Sequence, residues 1–84
     1  MFFIEFTATA RKQLVKLPRD VQIGIIAVLE RIRIRPYSYV KRLAGNKLYR
    51  LRVGDYRVIL DINRNKLIII VITIGNRSNI YKQS

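Results

Sequence analysis

Across residues 67–74 every side chain is aliphatic except Thr73. The run is rich in β-branched residues and, if extended, is apolar on both faces. A strand of that kind has to be covered on both sides, so it is expected at the centre of a sheet. It falls far short of the roughly 20 residues that cross a bilayer as a helix. Two more strands lead into it. Residues 47–53 and 56–62 flank Gly54 and Asp55, a hairpin turn signal. Asn63, Arg64, Asn65 and Lys66 form a second turn before the aliphatic run, and Gly75 and Asn76 are expected to break it.

Upstream of the hairpin the apolar period becomes helical. Phe2, Ile4 and Phe6 alternate with Phe3, Glu5 and Thr7 as a first strand. Thr7 or Thr9 caps a helix that runs to about Lys16 and puts Ala10, Leu14 and Leu17 on one face. Pro18 ends that helix and suits the first turn of the next. Asp20 lies in the same turn, where the helix dipole favours a carboxylate. The second helix spans about residues 18–34, with Val21, Ile25, Val28, Leu29 and Ile32 as its core stripe. Gly24 in its interior costs about 1 kcal/mol relative to Ala and is read as a close approach of the first helix. Pro36 closes the element, and a basic connection follows to Asn46. Helices come early and strands late. The expected class is therefore α+β: an N-terminal strand, a two-helix hairpin, then an antiparallel sheet of three further strands (β-α-α-β-β-β). Residues 1–84 are read as one domain.

Charge narrows the function. Seventeen Lys and Arg face five Asp and Glu, a net +12 on 84 residues. Such a field attracts polyanions, nucleic acid first and anionic membrane second. Most of the cations are Arg, the better fork for phosphate. Half of the residues are hydrophobic, which argues against disorder. The absence of cysteine excludes disulfides and thiolate metal sites. The N-terminus lacks a basic leader and its apolar run breaks at Glu5, so it is not read as a signal peptide. A cytoplasmic protein, off the membrane, is expected.

If Gly54 and Asp55 form a two-residue loop, Val53 lies opposite Tyr56, Arg52 opposite Arg57, Leu51 opposite Val58 and Arg50 opposite Ile59; a four-residue loop keeps that pairing and a three-residue loop with a bulge breaks it. Alternation then gives one apolar face, with Tyr49, Leu51, Val53, Tyr56, Val58 and Leu60. Arg50, Arg52 and Arg57 share the other. Like charges directly opposite one another destabilise a sheet, so the cluster reads either as a solvated outer face or as a phosphate cradle using bidentate arginine contacts.

Leu43-Ala44-Gly45, followed by Leu48-Tyr49-Arg50-Leu51-Arg52-Val53-Gly54-Asp55-Tyr56-Arg57-Val58-Ile59, resembles the hallmark stretch of the RelE/ParE toxin superfamily. Ile74-Gly75-Asn76-Arg77 with Ile80-Tyr81 is similar to the end of RelE-type sequences. The resemblance implies a RelE-like fold and the toxin of a type II toxin–antitoxin system. It implies a ribosome-dependent endoribonuclease that cuts messenger RNA in the A site, with neither metal nor cofactor, held inactive by a RelB-like antitoxin. The active-site positions it implies are Arg50, Arg52, Arg57, Arg77 and Tyr81. Lys41, Arg42 and Lys47 join the first three as candidate RNA-binding residues.

The implied reaction is attack by a ribose 2′-OH on the adjacent phosphate, which leaves a 2′,3′-cyclic phosphate and a 5′-OH. Arginines suit the added negative charge. Proton transfer is more constrained. There is no histidine, and Arg stays protonated. RelE relatives can carry Lys where Arg50 and Arg52 stand. Tyr81 is then the candidate base, the alternative being that it packs the tail on the sheet. Tyr37 and Tyr39 either stack on bases or pack the loop. Two other functions compete: a ParE-like toxin that poisons gyrase by protein contact, and an RNA-binding domain without catalysis.

Overall fold

The computed structural model describes residues 1–76. Strand β1 (Phe3–Phe6) leads into helix α1 (Ala8–Val15) and helix α2 (Arg19–Ile32). A short 3-10 turn (Pro36–Ser38) and a two-residue strand β2 (Lys41–Arg42) follow. Strands β3 (Tyr49–Val53), β4 (Tyr56–Asn63) and β5 (Ile68–Asn76) complete a five-stranded sheet in the order β1-β5-β4-β3-β2. The class is α+β, with the helical hairpin packed on one face.

The helix boundaries have local causes. Thr7, not Thr9, caps α1: its hydroxyl accepts from the Ala10 N–H at 3.0 Å. Pro18 then sits at the N-cap of α2, with Asp20 in the first turn. Ile25, Leu29 and Ile32 of the expected stripe are buried, and Val21 and Val28 pack against them. Gly24 is not a point of close approach, because a Cβ built there meets nothing within 4 Å.

The aliphatic run is central, as expected: β5 lies between β4 and β1. The sheet differs from a purely antiparallel one in its last pairing. β1 runs parallel to β5, with Phe3 beside Ile68 and Phe6 beside Val71. Parallel neighbours need a long crossover, and here the helices and the β2–β4 segment supply it. The basic connection also holds a strand, β2, whose two residues give no alternation to read. Nor does β5 end at Gly75. It continues to Asn76, and Arg57 takes Gly75 as its partner, where β5 contributes no side chain.

One irregularity sets which residues reach the core. Ile59 pairs with Thr73 but Leu60 pairs with Val71, so Ile72 is the extra residue of a bulge. The shift of parity lets Ile69, Val71 and Ile74 all face the helices, although 71 and 74 are not an even number apart. Helix α1 occupies the backbone groups the bulge leaves over. The Thr7 hydroxyl donates to Ile72 O at 2.8 Å, and Gln13 Oε1 accepts from Ile74 N–H at 2.6 Å and from the Thr73 hydroxyl at 3.0 Å. The core joins Ala10, Ile25, Leu29 and Ile32 to Leu51, Val58, Leu60, Ile62, Ile69, Val71 and Ile74. Each of these larger aliphatics contributes roughly 1.5–3 kcal/mol by burial.

Candidate nucleic-acid interface

The hairpin register is the expected one. Gly54 takes the positive φ of the turn, +59°, and Val53–Tyr56, Arg52–Arg57, Leu51–Val58 and Arg50–Ile59 are the pairs. Leu51, Val58 and Leu60 are buried under the helices. Arg50, Arg52 and Arg57 therefore lie on the sheet face away from them. Strand β2 adds a fourth cation, because Lys41 pairs with Arg50 and so shares its face. Paired residues sit about 5 Å apart at Cα, and alternate residues on one strand about 7 Å. Four cations thus converge on a patch about the size of one phosphodiester unit and its neighbours.

The arginines are held differently. Arg57 is 4% exposed, and its Nη1 donates to Gly54 O at 3.1 Å and to Tyr56 O at 3.0 Å. Among the described residues no carboxylate forms an ion pair with it. Its guanidinium is fixed against the turn. Arg52, directly across, is exposed, and Arg50 is half-buried. The face therefore combines an anchored guanidinium with one presented to solvent.

The other predicted RNA-binding residues go elsewhere. Arg42 pairs with Tyr49, which puts it on the opposite parity from Lys41, and its Nε donates to Asn46 O at 3.3 Å. Arg42 and Lys47 line a separate open groove of about 440 Å3 with Tyr37, Tyr49, Asp61 and Arg64. Tyr37 and Tyr49 meet edge to face, 5.6 Å between centroids and 70° between planes. The Arg64 guanidinium lies 5.6 Å from the Tyr37 ring centroid. Partial burial, then Tyr49, push the Tyr37 phenol above its ordinary value, against the lowering pull of Arg64. From sequence alone Arg64 is a turn residue, and its one signal is a cation between two asparagines. Arg77 and Tyr81 lie outside the described residues. No helix among the described residues is long and apolar enough to cross a membrane.

Comparison with known proteins gives the family and the fold. Residues 4–81 match the family model described as the ParE toxin of type II toxin–antitoxin systems, parDE. The chain belongs to the RelE/ParE toxin superfamily. Solved relatives share the fold across nearly the whole chain. The toxin–antitoxin complex RelBE2 of Mycobacterium tuberculosis matches at a TM-score of 0.83 and 23% identity, over 90% of this chain and 98% of that one. The RelE–RelB complex of Pyrococcus horikoshii matches at 0.80 and 25%, over 93% and 97%. The intact Escherichia coli RelBE complex matches at 0.77 and 25%, over 90% and 96%. No curated protein matches the sequence. The chain is thus a toxin of the RelE/ParE type, and its fold is the RelE-like one expected from the hallmark stretch.

Proposed function

We propose that this toxin is a ribosome-dependent endoribonuclease that cleaves messenger RNA in the A site without a metal. The observation that carries the reading is the convergence of Arg50, Arg52, Arg57 and Lys41 on one sheet face of a chain with net charge +12. In the proposed step the 2′-oxygen bonds to phosphorus as the bond to the 5′-oxygen breaks. The products are a 2′,3′-cyclic phosphate and a 5′-OH. One proton leaves the 2′-OH and one goes to the leaving oxygen. Arg52, being exposed, and Arg50 bind the non-bridging oxygens, where negative charge builds up. Arg57, held by the turn carbonyls, adds a charge that need not reorganise during the reaction. Arg77 and Tyr81 complete the site, Tyr81 as the phenolate that takes the 2′ proton. Alignment of the 2′-OH is left to the ribosome.

The partner that silences it is a RelB-like antitoxin. Val15, Ile23 and Ile26 stand exposed on the helices, an apolar surface on the opposite side of the sheet from the cationic one, and an acidic amphipathic segment would cover both by wrapping round the domain. Cytoplasmic action follows from the ribosome as target. A second reading is favoured by one observation, that the matching family model is the ParE one: poisoning of gyrase through protein contact.

The test is translation in a cell-free extract with cuts mapped by primer extension. Cuts at codon positions that vanish in an Arg50→Ala plus Arg52→Ala variant are expected. Intact message with undiminished translation would remove the nuclease reading, and inhibition of gyrase supercoiling in the same preparation would establish the second.

A further inference from the structure

The groove at the far end of β4 is not accounted for by the arginine face. Along the strand, Arg57 and Asn63 are six residues apart, about 20 Å. Tyr37 is 42% exposed, although its ring is braced edge-on by Tyr49 and carries the Arg64 guanidinium over it. Aromatic rings and guanidinium planes are the two surfaces on which unpaired bases stack. Around them the groove sets the cations Arg42 and Lys47 beside a carboxylate, Asp61. Asn63 and Asn65 add carboxamides to the same wall.

That mixture discriminates between ligands. An acidic peptide offers carboxylates to the cations but no flat base to the exposed ring. A nucleotide offers phosphates to the cations, a flat base to the ring, and a base edge with both donors and acceptors. Asp61 can accept from such an edge, and the carboxamides can do either. We propose that this groove is a second RNA subsite, in which Tyr37 and Arg64 stack an unpaired base while Arg42 and Lys47 hold its flanking phosphates. It rests on the RNA reading above.

The chain has no tryptophan, so Tyr37→Trp supplies a single reporter indole. Titration of that variant with a ten-nucleotide single-stranded RNA is expected to quench its fluorescence to saturation, and polyglutamate is expected to leave it unchanged. By anisotropy with the labelled oligonucleotide, Tyr37→Ala should weaken binding about tenfold with the salt dependence intact, and Tyr37→Phe should bind as the parent does. Lys47→Ala should instead reduce the slope of log affinity against log salt by about one. Unchanged affinity in Tyr37→Ala, or equal quenching by polyglutamate, would overturn the subsite while leaving cleavage at the arginine face standing. Absence of any RNA binding, together with intact message in the translation assay, would sink both.

Discussion

The two faces of the β3–β4 hairpin are built from alternate residues of the same short stretch, yet they obey different rules. On one, Leu51, Val58 and Leu60 are at most 2% exposed and pack under the helices. There, aliphatic volume decides, and a similar residue would serve nearly as well. On the other, Arg52 faces Arg57 across the ladder, an arrangement that costs stability. The first face holds the fold together, and the second can carry a repulsive cluster because the first does. Within the arginine face the contrast repeats on a smaller scale. Arg57 is anchored to the turn, and Arg52 is exposed.

The largest test of the contrast is on the core face. Leu60→Ala removes a side chain with 0% exposure and should cost about 2–5 kcal/mol, read by urea unfolding. At temperatures where the variant remains folded, its RNA affinity should match the parent's. If affinity falls in step with stability, the two faces are not separable. Next is Arg57→Ala. Losing both turn carbonyl contacts should cost about 1–3 kcal/mol and weaken RNA binding as well, so this one position should report on both faces. A loss of binding with no loss of stability would mean that the anchoring bonds contribute nothing.

How much of this was legible depended on how strongly a residue's neighbours in sequence fix its position. The hairpin register followed from two turn residues and a period of two, and with it came the apolar face and the three arginines. The central place of β5 followed from its apolarity on both sides. The bulge at Ile72 was not legible, since the bonds that stabilise it come from Gln13 and Thr7, some 60 residues away. Lys41 is a candidate from its charge, but only its pairing with Arg50 assigns it to the arginine face, and β2 is too short to have a period. The parallel pairing of β1 left no trace either, because strand direction is decided by where the helices return the chain.

Smaller effects sharpen the comparison from the helix layer. Gly24→Ala adds a methyl where nothing lies within 4 Å. It should stabilise the protein by roughly 0.5–1 kcal/mol through helix propensity. RNA affinity should not change, because α2 lies behind the sheet from the arginines. A destabilised variant would show that α2 is not a regular helix at that point.

The smallest effect on stability is expected where the effect on function is among the largest. Arg52→Ala removes an exposed side chain, a change that ordinarily moves stability by no more than about 0.5 kcal/mol. Here the sign should be stabilising, because the substitution relieves the repulsion from Arg57 across the ladder. The gain should shrink as salt is raised, since screening already weakens the repulsion between solvent-facing charges. In the same variant the RNA affinity should fall and the salt slope should drop by about one. Stability up and binding down, from one substitution at one position, is the signature of a charge kept for a ligand. If stability also falls, Arg52 serves the fold, and the arginine face is then an ordinary solvated surface of the sheet.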